Sequence, residues 1–204
     1  MTGPDDVPSQ ADAVAAAAAA IRDGDLVVYP TETVYGLGAD ALDPDAVERA
    51  YEAKGRDRSK PLSMGVPSVD AAREHVDATE RERAFMDAFL PGPVTVLCER
   101  EPHVPDALVA GGDRVGVRIP AHDLALEFFE VAGTPVTATS ANVSGEPSVR
   151  HPDDLDPRFR ERVNFVLDGG HTDGAESTVV DPSTDEIVRR GALADDVEAW
   201  LDDH

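Results

Sequence analysis

The sequence predicts an α/β fold built on a mixed parallel and antiparallel sheet flanked by helices. In the first half of the chain, short apolar segments of strand character alternate with segments of helical period. In the second half, three strand-like segments follow one another across short connections. Alternation favours parallel pairs and direct succession favours antiparallel ones, so the sheet should contain both. The length of 204 residues, with 41% hydrophobic residues and 16 glycines, suits one sizeable core. No segment is long enough to act as an interdomain linker. Residues 1–8 read as a loose tail and residues 9–204 as one domain.

The elements follow in order. Ser9 or Asp12 caps a first helix, which runs through Ala15 to Ala20 and stops at Gly24. LVVYP, residues 26–30, is a buried strand, and TETVYGLGADA, residues 31–41, reads as a polar loop rich in small residues. Asp43-Pro44 opens a second helix with proline at its first position. Ala46, Val47, Ala50, Tyr51 and Lys54 share one face of it, and Gly55 ends it. PLSMGV, residues 61–66, is the next strand, followed by helices near 68–75 and 79–90. Thr79 and Glu82 form a capping box for the second of these, and Pro91-Gly92-Pro93 breaks it. VTVLCER (94–100), VGVRI (115–119) and PVTAT (135–139) are strands, with a helix over 122–132 ended by Gly133. Residues 152–162 read as helical, NFVLDGG (164–170), STVVDP (177–182) and EIVRR (186–190) as strands, and 194–202 as a last helix.

Charge narrows the function. The chain carries 41 Asp+Glu against 18 Lys+Arg, a net charge of -23. The acids are spread among periodic apolar segments, so they describe a surface rather than a disordered tail. Dispersed acid with only two lysines resembles a surface adapted to high salt, where the screening length falls to about 3 Å at 1 M. Such a charge opposes nucleic-acid binding, which needs several basic contacts and weakens with salt. The lone Cys98 excludes an internal disulfide and a cysteine-based zinc site, and it sits in an apolar run where it packs as a small hydrophobe. No apolar run approaches a membrane span and the start is acidic, so a cytoplasmic protein is expected.

Against this background one stretch stands out. KGRDRSKPL, residues 54–62, holds both lysines of the protein, and Arg56 and Arg58 alternate with Lys54 and Lys60. An ammonium suits a phosphate point contact and a guanidinium a bidentate one, so the segment is expected to hold a polyphosphate rather than to be a solvated loop. No Walker-type phosphate loop, full dinucleotide fingerprint, metal-binding histidine pair or nucleophile elbow is present. Small hydroxyl and amide residues gather instead at strand ends: Thr31, Glu32 and Thr33; Ser140, Asn142 and Ser144; Ser177 and Thr178. Each alone caps a turn more often than it binds a ligand, but together they resemble contacts at one face of an α/β sheet. Arg118 and Arg189 lie in apolar strands, where an arginine needs either a structural carboxylate or an anionic ligand.

The ordered set YPTETVYGLGADA, KGRDRSKPLS, PGPVTVL, VGVRIPAH, TSANVSGEPS, DGG, ESTVVD and a final Arg-x-Gly resembles the YrdC-like family of threonylcarbamoyl-AMP synthases, over about residues 10 to 200. The resemblance implies a single α/β domain with a twisted sheet around a deep, positively lined cavity. It also implies a nucleotidyltransferase that converts L-threonine, bicarbonate and ATP into threonylcarbamoyl-adenylate and pyrophosphate. A separate tRNA threonylcarbamoyl transferase complex would then consume the adenylate. The family's K-x-R and S-x-N pairs fall on Lys54, Arg56, Ser140 and Asn142, with Lys54 and Arg56 in the catalytic role. ATP contacts carry over to Arg56, Lys60, Ser140, Asn142, Ser148 and Arg189, and threonine contacts to Thr33, Arg118 and Ser177. Mg²⁺ is expected to arrive with ATP, held by phosphates and water rather than by a dedicated protein site.

Two departures from the family pattern are visible. Some two-domain members have a histidine where this chain has Gly65, and the chain ends soon after the Arg-x-Gly segment, as in the short form. The competing expectations are an RNA-binding protein on the same fold, with direct tRNA contact disfavoured by the charge, and a related branch without synthase activity. A carbamoyl-transferring domain for hydrogenase maturation is disfavoured by length.

Overall fold

The computed structural model describes residues 9–172 and 174–204, so the tail expected over residues 1–8 lies outside the described residues. Helix α1 (Gln10–Arg22) leads into β1 (Val27–Tyr29) and β2 (Gly36–Gly38), then α2 (Pro44–Lys54) and β3 (Ser63–Gly65). Next come α3 (Val69–Ala72), β4 (Val76–Asp77), α4 (Glu80–Phe89), β5 (Val94–Arg100), β6 (Arg114–Arg118), α5 (Asp123–Ala132) and β7 (Val136–Ser140). The chain continues through α6 (Pro157–Arg160), β8 (Phe165–Val166), β9 (Thr178–Asp181), β10 (Glu186–Arg189) and α7 (Ala194–Asp203).

The strands form one sheet in the order β10-β9-β5-β6-β3-β7-β2-β1-β8, with β4 attached to β5. The pairs β1–β8, β3–β6 and β5–β9 are parallel and the others antiparallel, the mixed sheet that the sequence predicts. Helices bury their apolar faces in two clusters. Val14, Ala17, Ala18 and Ile21 of α1 meet Ala125, Phe128, Phe129 and Ala132 of α5 over β1. The alanines have the smallest side chains that still favour a helix, so α1 can lie close to α5. Tyr29 of β1 sits against Phe128 and Phe129, with ring centroids 5.5 and 5.3 Å away, and its hydroxyl donates to the Thr137 carbonyl at 3.0 Å. The larger cluster joins Ala46, Val47, Ala50 and Tyr51 of α2, Phe85 and Met86 of α4 and Val197 of α7 to the other strands.

Helix ends follow their residues. Ser9 and Thr79 each form a reciprocal capping box, with Asp12 and Glu82. Gly55 ends α2 in the left-handed region at φ 56°, where glycine alone escapes a steric penalty. Three expectations need correction. Gly36–Gly38 is a buried strand, not part of a loop. A Cβ at Gly36 would lie 2.6 Å from the Tyr29 ring, so the glycines read as loop formers are what let β2 lie beneath that ring. The helix expected over 68–75 stops at Ala72, and a short strand, β4, follows it. The helix expected over 152–162 is interrupted at Leu155, which is extended, and restarts behind Asp156, whose carboxylate accepts from the amides of Arg158 and Phe159. Among the described residues no helix is long and apolar enough to cross a membrane.

Candidate functional site

A cavity of about 430 Å³ is lined by residues of β1, β2, β3, β5, β6, β7, β9 and β10. These eight strands are consecutive in the sheet, and laid flat they would spread over about 34 Å. One cavity can touch all eight only because the sheet twists and curls around it.

The cavity is graded from an exposed cationic end to a buried hydroxyl-rich end. At the exposed end, Arg56 and Lys60 come from the loop after α2, and Arg189 from β10. Arg56 organises that loop: its Nε donates to the Lys60 carbonyl and its Nη2 to the Pro61 carbonyl, both at 3.0 Å. Tyr51 donates to the same Lys60 carbonyl at 3.0 Å. Partial burial lowers the pKa of Arg56, and the nearby charge of Arg189 lowers it further, so an anion between the two would relieve both. Arg189 donates from Nε and Nη2 to the Ser177 carbonyl at 3.1 and 2.8 Å, and from Nη2 to the Ser177 hydroxyl at 3.0 Å. Its Nη1 lies 3.2 Å from Glu176, whose other oxygen accepts from Ser148 at 2.5 Å. Arg58 turns away from the cavity and pairs with Glu48.

The buried end is built by the 31–34 turn and strands β5 and β6. The Thr31 and Thr33 hydroxyls are 2.8 Å apart, and Thr31 donates to the Val34 carbonyl at 2.6 Å. The Thr95 and Ser177 hydroxyls lie 3.1 Å apart. Arg118 is only 6% exposed; its Nη2 donates to Glu32 Oε1 at 2.8 Å and its Nη1 to the Val94 carbonyl at 3.2 Å. Burial lowers its pKa and the Glu32 carboxylate opposes that shift, so the pair keeps a guanidinium in a nearly dry wall.

Of the ten residues singled out from the sequence, Thr33, Arg56, Lys60, Arg118, Ser140, Ser177 and Arg189 line this one cavity. Lys54, Asn142 and Ser148 do not. Lys54 is 1% exposed, and its Nζ donates to the Ser140 carbonyl, the Asn142 carbonyl at 2.8 Å and Asn142 Oδ1 at 3.3 Å. The Ser140 hydroxyl also donates to Asn142 Oδ1, and Asn142 Nδ2 donates to the Glu146 carbonyl at 2.6 Å. Lys54 and Asn142 therefore shape the loop that carries Ser140, and Ser148 holds Glu176. Sequence reasoning did not single out Thr95, Arg114 or Glu176, all of which line the cavity. Thr95, a polar residue inside VTVLC, was the readable signal. Arg114 is held by Glu82 at 2.5 Å and Asp181 at 2.8 Å.

The Gly65 departure also finds its place. A Cβ there would lie 2.6 Å from Phe129 Cζ, and Phe129 lines the cavity. The phenyl ring thus occupies the space into which a larger side chain at 65 would project. Among the described residues, Glu176 is the only carboxylate that lines the cavity, and no group of three or more His, Cys, Asp or Glu is arranged to hold a metal.

Residues 19–191 match the Sua5/YciO/YrdC family model, whose description is telomere recombination. The chain is 42% identical over 167 residues to the threonylcarbamoyl-AMP synthase of Pyrococcus abyssi, covering 81% of this chain and 49% of that one. It is 38% identical over 197 residues to the Bacillus subtilis protein of the same name, covering 92% and 56%. The chain thus spans about half the length of these two curated relatives. Against the Klebsiella pneumoniae threonylcarbamoyl-AMP synthase it is 32% identical, with 91% and 98% covered. Among solved structures, P. abyssi Sua5 complexed with L-threonine aligns with a TM-score of 0.79 at 41% identity, over 82% of this chain and 50% of that one. Escherichia coli YciO aligns with a TM-score of 0.82 at 24% identity over 92% of both chains, which speaks to the fold alone.

Proposed function

The chain belongs to the Sua5/YciO/YrdC family, and from that premise we propose that it is an L-threonylcarbamoyladenylate synthase. It would make threonylcarbamoyl-AMP and pyrophosphate from L-threonine, bicarbonate and ATP, working in the cytoplasm and supplying a tRNA threonylcarbamoyl transferase. The observation that carries this is the grading of the cavity. A buried guanidinium among small hydroxyls suits a small amino acid, and three cations at the open end suit a polyphosphate. The names of the relatives and the threonine complex of P. abyssi Sua5 support the same reading.

The chemistry needs no protein nucleophile. The amine of threonine and bicarbonate form a carbamate with loss of water, and a carbamate oxygen attacks the α-phosphate as pyrophosphate leaves. Arg118 would take the amino-acid carboxylate, and Thr33 and Ser177 its hydroxyl. Arg56, Lys60 and Arg189 would neutralise the charge that builds on the phosphates, and Ser140 would position the nucleotide. Lys54, Asn142 and Ser148 would act through the walls they hold. Mg²⁺ carried by the triphosphate would supply further neutralisation of phosphate charge, and among the described lining residues Glu176 is the carboxylate at that end of the cavity.

The test is pyrophosphate release from ATP with bicarbonate and threonine, serine or valine. Threonine should be best, serine intermediate and valine poor, because a site that hydrogen-bonds a substrate hydroxyl rejects the analogue without it. Arg56→Ala should weaken ATP binding by about 1.5–3 kcal/mol, read by calorimetry, and leave the fold intact. Valine turning over as fast as threonine, or an unchanged ATP affinity in Arg56→Ala, would remove these pocket assignments.

A further inference from the structure

Among the described residues, two buried atoms on this side of the molecule lack a hydrogen-bond partner: Nε of Arg114, whose guanidinium is otherwise held by Glu82 and Asp181, and a carboxylate oxygen of Glu32. Glu32 gives Oε1 to Arg118, while its Oε2 is buried and accepts no hydrogen bond. A buried carboxylate oxygen left unpaired is costly, and such an atom is retained where a ligand completes it. Glu32 is not itself a lining residue, but its neighbours Thr31 and Thr33 and its partner Arg118 all line the cavity, and its side chain is 18% exposed. The last torsion of a glutamate is broad, so the carboxylate can turn without leaving its rotamer.

The other groups nearby are already committed. The Thr31 hydroxyl is spent on Val34 and Thr33, and Thr95 on Ser177. Glu176 stands at the far end, held by Ser148 and Arg189. Arg118 makes two hydrogen bonds to the protein out of five N–H donors, so it can take a carboxylate and keep Glu32. An amino acid bound by its carboxylate to Arg118 brings its α-ammonium, two bonds away, beside that guanidinium. Among the described residues there, the unpaired anionic acceptor is Glu32 Oε2.

We propose that Glu32 binds the α-ammonium of the substrate amino acid and takes a proton from it, which frees the amine to attack bicarbonate. This rests on the synthase reading. The ammonium gives one proton to the Glu32 carboxylate and becomes a neutral amine. Its nitrogen lone pair forms the N–C bond to bicarbonate while the C–OH bond breaks, and the departing hydroxide takes the proton from Glu32 to leave as water. The nitrogen then releases one further proton to solvent. The sum is ammonium plus bicarbonate giving carbamate, water and one proton.

The test compares L-threonine with 2,3-dihydroxybutyrate, its α-hydroxy analogue, on wild type and Glu32→Gln. Glutamine keeps an oxygen for Arg118 but has no charge and no basicity. Wild type should bind threonine about tenfold to a hundredfold more tightly than the hydroxy acid, and Glu32→Gln should bind the two within a few-fold while holding ATP normally. Pyrophosphate release by Glu32→Gln should climb about tenfold per pH unit toward the pKa of the amine, where wild type is flatter. A Glu32 that only positions Arg118 would weaken both ligands equally in the variant and leave the pH profile in place, which overturns the proposal. Equal affinity of wild type for the two ligands overturns it as well, even if the variant fails to fold. If wild type releases no pyrophosphate with threonine, the synthase reading itself falls. If it does and Glu32→Gln matches it at every pH, only the role of Glu32 falls.

Discussion

Lys54 gives its ammonium to the protein rather than to the cavity. Burial is the larger influence on it, the charge of Arg56 adds to it, and Glu176 opposes it, so its pKa falls from 10.5 to about 7. Three acceptor oxygens on the 140–142 loop hold the ammonium form in place. The folded pKa lies below the unfolded one, so between about pH 7 and 10.5 the unfolded chain binds the extra proton and stability rises with pH. Below that window both states are protonated and the gain is lost. Urea unfolding of wild type and Lys54→Met between pH 7 and 9 checks this: wild type should gain stability relative to the variant as pH rises, and parallel curves would refute it. The sequence placed Lys54 with its cationic neighbours because spacing shows proximity. Helical spacing and the Gly55 stop also place Lys54 in the last turn of α2, as found, but they do not show that its ammonium is buried in the protein, while Arg56, two residues on, lies in a loop at the cavity.

At the scale of elements, legibility depended on whether local chemistry and packing agreed. The cap of α1, narrowed to Ser9 or Asp12, the capping box of α4 and the glycine stop of α2 were readable because each uses residues within one turn. Strand β2 was not, because Gly-Leu-Gly has loop propensity and becomes a strand only through Tyr29 packed over Gly36 and pairing to β1 and β7. The same logic bears on β3. Its Gly65 lies under Phe129, which is 1% exposed and also contacts Tyr29, so the ring has little room to retreat. Gly65→Ala should cost about 1–3 kcal/mol by overpacking, measured by urea unfolding, and should weaken threonine binding by displacing the ring into the cavity. A variant as stable as wild type would mean that α5 shifts freely over β3.

For the whole molecule, the dominant fact is the imbalance of 41 acids against 18 cations, a net charge of -23. Several cations are already committed to exposed pairs such as Arg73–Asp70, Arg190–Asp195 and Arg190–Glu198. Exposed pairs contribute little each, a median of about 0–1 kcal/mol, so they cannot offset the repulsion of the excess carboxylates. Added salt acts on both terms: it weakens those pairs and it screens the repulsion. With this many unpaired acids the second effect should win, since the screening length drops from about 10 Å at 0.1 M to about 3 Å at 1 M, short of most carboxylate separations on a surface. The Arg118–Glu32 pair, with its guanidinium buried and its carboxylate mostly so, is better shielded from solvent ions than the exposed pairs and should change less. We therefore expect the thermal midpoint to rise steadily from 0.1 to about 3 M KCl. Chloride salts screen without strong exclusion, so the same series in sulfate, which also strengthens apolar burial, separates the two contributions. A midpoint that rises in sulfate but stays flat or falls in KCl would show that self-repulsion does not govern the stability of this surface.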